Sequence, residues 1–194
     1  MPLLFVTSNK HKFVEVSKIL GEEYSIKVKQ ENFLFRELES ISLSEIAIDK
    51  ARQAFREFSQ PLIVEDTGVY FKAYKSFPGT QPKRVFEGIG YGGIFMLLSG
   101  KNRKAFFHTC MCYIDQKTIR TFEGKLHGAI TKRVVPPKKL EMPYDMIFVP
   151  KGERRAIVKM AAEEKNVLSH RGKVTRMLGA WLEEKEKQDF LENL

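Results

Sequence analysis

The sequence predicts a mixed α/β fold, with neither a pure doubly wound order nor the pattern of a sandwich. Short apolar runs ending in polar turns first alternate with segments of helical spacing. A meander of strand-like segments follows, and the chain closes on a basic helix with an apolar stripe.

Leu3–Val6 is an apolar run entering Thr7-Ser8-Asn9, which reads as a buried strand and a turn. Phe13, Val16, Ile19 and Leu20 then follow helical spacing, with Gly21 as the expected stop. Tyr24, Ile26 and Val28 alternate with polar residues as a second strand would. Ser42-Leu43-Ser44-Glu45 fits a capping box for a helix reaching about Phe58. After Pro61, Leu62-Ile63-Val64 reads as a buried strand carrying Glu65 and Asp66 at its C-terminal end, with Asp66, beside Thr67-Gly68, at a turn. Phe77-Pro78-Gly79 is a tight turn. Gly88 to Gly93 reads as a glycine-rich connection before a short helix around Ile94–Leu98.

Ala105–Ile114 and Thr118–Glu123 read as a hairpin closed near Asp115-Gln116-Lys117. Another strand is expected over Gly128–Arg133 and an apolar strand over Tyr144–Val149. A loop then leads to a final helix from Ser169 to roughly Glu186, whose stripe of Val174, Met177, Leu178, Trp181 and Leu182 makes Trp181 a core anchor.

A chain of 194 residues can bury a substantial core, and no linker or repeat divides it, so residues 1–194 are expected to form one domain. Cys110 and Cys112 lie one residue apart. A bridge at that spacing would be strained, and reduced, buried thiols are expected. No signal peptide or membrane-length apolar run is present, so a cytoplasmic location is expected. The net charge of +9 fits a nucleic-acid binder, a small polyanion binder, or a merely soluble surface. The placement of particular lysines matters more than the sum.

Five segments carry chemistry. Thr7, Ser8, Asn9, Lys10, His11 and Lys12 open a helix and offer hydroxyls, an amide and cations to an anion, without the glycines of a Walker loop. Lysines beside the positive end of a helix dipole are unfavourable unless an anion joins them. Asp66 can hold magnesium through oxygen and accept a proton from water. Glu37 and Glu39, which would share one strand face, offer a further carboxylate. Ser169 caps the last helix, and Lys165, His170 and Arg171 add donors and charge suited to phosphate or a base carbonyl. Met142-Pro143-Tyr144-Asp145 places an aromatic ring beside a carboxylate, as purine sites do.

Together these segments resemble the inosine/xanthosine triphosphate pyrophosphatase family, along essentially the whole chain and in order. Thr7–Lys12 resembles the N-terminal phosphate loop and Val64–Gly68 the Glu-Asp-Ser/Thr-Gly strand end. Phe77–Gly79 resembles the Phe-Pro-Gly turn, and Glu164–Arg171 the Glu-Lys-Asn-x-x-Ser-His-Arg signature. The resemblance implies a long, curved mixed sheet with helices in two lobes around a substrate cleft, usually in a homodimer. It implies magnesium-dependent hydrolysis of ITP, dITP or XTP to monophosphate and pyrophosphate.

By resemblance, Asp66 binds metal and activates water, Glu37 is a second metal ligand with Glu39 as rival, and Glu65 supports the acidic centre as a further metal ligand. Thr7 through Lys12, Lys50, Thr67 and Lys83 fall on the phosphate side. Met142, Pro143, Tyr144 and Asp145 fall on the base side, and Lys165, Ser169, His170 and Arg171 recognise the base and nearby phosphate. Met142-Pro143 stands where the family usually has Phe-Gly, so stacking falls to a thioether or to Tyr144. Thr80-Gln81-Pro82 departs from the family's usual Tyr-Ser pair. The alternatives are a related pyrophosphatase for pyrimidine or modified nucleotides, and a basic nucleic-acid-binding domain. The second lacks the aromatic-basic pattern of RNA modules, so no polymer partner is expected.

Overall fold

A computed structural model describes residues 2–137 and 142–192. Among these residues seven strands form one mixed sheet, in the order β2-β1-β3-β5-β6-β7, with β4 pairing to β3 off that path. Strand β1 (Leu3–Val6) runs parallel to β2 (Val28–Glu31) and β3 (Leu62–Phe71). Antiparallel pairing continues through β5 (Lys104–Ile114), β6 (Ile119–Ile130) and β7 (Phe148–Pro150).

Side chains alternate across a strand, so each strand feeds two layers. Phe5, Ile63, Met111 and Phe122 face α1 (Lys10–Tyr24) and α5 (His170–Glu192). Leu4, Leu62, Val64, Cys110 and Cys112 face α2 (Leu43–Phe58). A third cluster joins Phe71, Phe107 and Phe148 to Ile94 and Leu98 at the end of α3 (Pro82–Leu97). Trp181 packs against Tyr113 and Phe122, as its place in the helical stripe predicts. Both cysteines are free and buried, and burial pushes Cys112 up to about 12, which leaves inert thiols. No described helix is long and apolar enough to cross a membrane.

The geometry that matters is a gap in pairing. Strand β1 pairs with β3 only at Leu62 and Ile63, and β4 (Pro78–Gly79) takes up the same edge at Val69 and Tyr70. Between Ile63 and Val69 that edge has no strand partner among the described residues. Glu65, Asp66 and Thr67 sit in this gap while their other edge is fully paired with β5.

Several expectations change. Asp66-Thr67-Gly68 does not turn: β3 runs through to Phe71 because ten successive pairs with β5 hold it extended. The glycine run Gly88–Gly93 connects two helical stretches at Gly90 alone, and the rest of it is helical. Aromatic packing among Phe86, Tyr91 and Phe95 holds it within α3, and only Gly90, at φ 56°, breaks the helical geometry. Gly21 does not stop α1, which ends at Tyr24 before Ser25, and the second strand begins at Val28 rather than Tyr24. The expected strand over Gly128–Arg133 is the far end of β6, and Pro143–Met146 forms a 3-10 turn ahead of β7. Glu37 and Glu39 lie in a loop rather than on a strand face. A short helix, α4 (Ala162–Leu168), stands where a loop was expected, and α5 extends to Glu192.

Candidate active site

The gap in the β3 edge collects side chains from four elements. Because β3 stays extended, Glu65 and Asp66 point to opposite faces. Glu65 goes to the α1/α5 side and is buried, whereas Asp66 goes to the α2 side and keeps partial exposure. Asp66 Oδ2 lies 2.9 Å from Lys50 Nζ on α2, and Oδ1 accepts the Thr67 N–H. Lys12 Nζ, from the first turn of α1, is 3.4 Å from the Glu65 carboxylate and 3.5 Å from its carbonyl oxygen. The two expected phosphate lysines are thus brought to neighbouring residues of one strand, from opposite faces of the sheet.

The N-terminal loop behaves as a capped turn. Asn9 Oδ1 accepts from the N–H groups of His11 (3.0 Å) and Lys12 (3.2 Å), and Thr7 Oγ1 accepts from the Asn9 N–H. Two helix-terminal amides are therefore satisfied by the cap itself. Ser8 and Lys10 are exposed, and His11 is half-buried.

On the α1/α5 side lies a buried ionic network. Arg171 is 1% exposed; its Nε lies 2.8 Å from Glu65 and its Nη1 2.6 Å from Glu15. Glu15 also takes Lys165 at 2.6 Å, and Lys165 reaches Asp145 at 2.7 Å. Burial alone would raise the Glu15 carboxyl, but the Arg171 and Lys165 cations outweigh it and hold it at about 2. Burial likewise opposes ionisation of Glu65, and Arg171 and Lys12 overcome it, holding its carboxyl well below the usual carboxylate range. Burial would lower Lys165, yet Asp145 and Glu15 raise it, so it stays charged. Arg171 therefore spends its guanidinium on protein carboxylates, and Lys165 sits in α4 with both its partners protein groups.

Ser169 caps α5 as expected, its Oγ accepting the Gly172 N–H at 2.9 Å. A Cβ at Gly172 would be driven into the carbonyl oxygen of Asn166, a backbone atom that cannot swing aside. Gly172→Ala is expected to cost about 1–3 kcal/mol, read as a lower midpoint in chemical denaturation; an unchanged midpoint would show that α4 and α5 are not held this closely.

His170 is buried, its ring stacked on Phe107 at 4.8 Å, and burial together with the Arg171 charge takes its basicity well below the ordinary histidine value. It is a neutral imidazole. Tyr144 is also committed: its hydroxyl donates to the Pro82 carbonyl at 3.0 Å and its ring meets Phe86 edge-on. Asp145 is buried against Lys165. Met142 and Pro143 remain partly exposed at the start of the 3-10 turn.

Lys83 projects into solvent, its side chain 88% exposed beside Glu87. Its neighbour Arg84 instead lines a cavity of about 420 Å³, together with Glu39, Tyr70, Pro78, Gly79 and Gln81. Of the two loop carboxylates, Glu39 is therefore on the cavity wall, and Glu37 is exposed on the loop without lining it.

Residues 3–181 match the Ham1 family model. This chain belongs to the Ham1 family. The chain is 36% identical over 179 residues to a dITP/XTP pyrophosphatase of Saccharolobus solfataricus, with 92% of each chain covered. It is 31% identical to an inosine triphosphate pyrophosphatase of Schizosaccharomyces pombe, over 98% of this chain and 95% of that one. A HAM1 protein from Coxiella burnetii shares its fold with a TM-score of 0.76 at 23% identity, over 95% of this chain and 100% of that one.

Sequence reasoning missed three residues at this candidate site. Glu15 lies three positions after Lys12, one helical turn along the same face, a spacing that marks it as a neighbour. Thr109 stands opposite Thr67 in the β3–β5 register, visible only once the pairing is known. Arg84 follows Lys83 directly, and only the orientation of α3 separates their roles.

Proposed function

We propose that this chain hydrolyses non-standard purine nucleoside triphosphates (ITP, dITP and XTP) to the monophosphate and pyrophosphate. The observation that carries this reading is the convergence at the open β3 edge: a partly exposed carboxylate, Asp66, with lysines from two helices beside the same stretch of strand. Cleavage of the α–β anhydride by water requires a proton acceptor at the water and cations along the leaving pyrophosphate. Asp66 supplies the acceptor. Lys12 and Lys50, each on a flexible stem, exchange their carboxylate partners for phosphate oxygens when the nucleotide arrives. Asn9 and the other polar groups of Thr7–Lys12 complete the phosphate side, while Ser169, His170 and the Arg171 network shape the base side.

Magnesium fits this site as a passenger on the nucleotide. Among the described residues no group of three or more His, Cys, Asp or Glu could hold a metal. Mg²⁺, however, commonly uses one or two carboxylates, with phosphate oxygens and water filling the remaining positions. Asp66 is the first such carboxylate, and Glu39, on the cavity wall, is placed better than Glu37 to be the second. When bound, the ion neutralises phosphate oxygens. With Glu65 engaged by Arg171 and Lys12, its role is to anchor the site from behind. With Tyr144 packed into the core, the partly exposed Met142 is the side chain left to cover a base.

The chain is read as one domain of residues 1–194, acting in the cytoplasm as a homodimer on nucleotides rather than on nucleic-acid polymers. The same site would serve a pyrophosphatase for pyrimidine or modified nucleotides. Side-by-side kcat/KM values for ITP, XTP, ATP and UTP with magnesium separate the readings. The purine reading predicts preference for ITP and XTP; equal use of ATP, or preference for UTP, would replace it.

A further inference from the structure

A line of hydroxyls connects the buried ion pair to the histidine. The Thr67 hydroxyl contacts the Glu65 carboxylate, Thr67 Oγ1 lies 2.6 Å from Thr109 Oγ1, and Thr109 Oγ1 lies 2.5 Å from His170 Nδ1. Each hydroxyl has a single proton, so its direction can be assigned from the end whose state is known. That end is Glu65, whose oxygens already accept from Arg171 and which can only accept again. Thr67 must donate to Glu65. Its oxygen is then left to receive the Thr109 proton, and the Thr109 oxygen in turn receives a proton from His170 Nδ1. The reverse direction would bring two hydroxyl oxygens together with no proton between them.

We propose that Thr67 and Thr109 are positioning residues that hold His170 as its Nδ1–H tautomer and leave Nε2 as a hydrogen-bond acceptor for an N–H on the substrate's base. The ring plane is fixed independently by stacking on Phe107. Every fully buried side-chain nitrogen or oxygen among the described residues has a partner. The hydrogen bond of the His170 ring lies at Nδ1, so Nε2 has no protein partner and is not fully buried.

The recognition half of this proposal rests on the function proposed above. A 6-oxopurine carries a proton on N1 beside its carbonyl, whereas a 6-aminopurine presents a lone pair there. An acceptor fixed in place pairs with the first and repels the second. A free histidine would discriminate poorly, because it can exchange tautomers to suit either ring. Glu65, held ionised at the far end of the line, removes that choice without touching the base.

The test is nitrogen-15 NMR of the full-length protein labelled at histidine, at neutral pH, with His170→Gln used to assign the His170 signals. The expected spectrum has a protonated Nδ1 and an unprotonated Nε2 for His170. Thr109→Ser should preserve it, and Thr109→Val should shift the ring toward the Nε2–H form. A wild-type ring protonated at Nε2 would overturn the relay, as would a Thr109→Val spectrum unchanged from wild type. The wild-type measurement decides the matter even if the valine variant fails to fold. Alongside, the ratio of kcat/KM for ITP over ATP should fall about tenfold in Thr109→Val and stay near wild type in Thr109→Ser. The expected NMR result with an unmoved ratio would remove the base contact from the proposal. A protein that hydrolyses no ITP would instead fail the proposed function, and the tautomer measurement would still stand on its own.

Discussion

Asp66→Asn is expected to lower kcat by about 100- to 10,000-fold, the usual contribution of a positioned proton acceptor, while nucleotide binding survives. The amide keeps the size of the carboxylate and its single oxygen can still accept from the Thr67 N–H, while its NH2 turns toward Lys50 and frees that lysine for phosphate. It loses the ability to take a proton, the negative charge that would help hold magnesium, and the ion pair with Lys50. The measurement is single-turnover hydrolysis of ITP alongside calorimetric titration with a non-hydrolysable ITP analogue. A near-normal rate would remove Asp66 from the chemistry. Lost binding together with lost rate would make it a substrate-binding group instead.

Arg171→Met should be the most destabilising single change in the site. The side chain is 1% exposed and bridges two carboxylates, Glu65 and Glu15, from opposite ends of its guanidinium. Removing it strands buried negative charge, which costs about 3–5 kcal/mol and lowers the melting temperature on the order of 10 °C. Replacing Glu65 with Leu in the same protein should recover part of that loss, because Glu15 retains Lys165 and no unpaired carboxylate is left on β3. A double variant as unstable as the sum of the singles would mean that the two residues act independently.

The same network sets the acid limit of the fold. Glu15 is held at about 2 in the folded protein against an ordinary value of 4.5, so its folded pKa is depressed. Its contribution is fully present above the unfolded value, and it is lost as the pH falls from about 4.5 toward 2. In Arg171→Met that acid-side loss should flatten, since the principal cation depressing Glu15 is gone.

How far the sequence could be read depended on whether an interaction was local. The capped helix α2 was legible because Ser42 and the apolar spacing act within a few residues. Even there Glu45 sends its carboxylate to the Ser40 hydroxyl rather than back to the Ser42 amide. The end of β3 was misread because Asp66-Thr67-Gly68 has turn chemistry locally, and only pairing with β5 forty residues later holds it straight. The extent of helix α3 was misread for a related reason: apart from Gly90, where it kinks, its glycines are helical beside aromatic neighbours.

The site divides along the same line. Asp66, Lys12 and Lys50 converge on one stretch of strand as the motifs implied. Arg171, however, turned inward to Glu65 and Glu15, a destination set by residues 106 and 156 positions away. Lys83 and Arg84 are indistinguishable in sequence, and one turn of helix α3 decides which faces the cavity.

The bond that is cleaved shows directly in the product pair released from ITP, followed by phosphorus-31 NMR in the presence of magnesium. Inosine monophosphate and pyrophosphate are expected to appear together in equal amounts, with no diphosphate intermediate. Orthophosphate and inosine diphosphate would contradict this, because they require cleavage at the terminal phosphate rather than at the bond assigned to Asp66, Lys12 and Lys50.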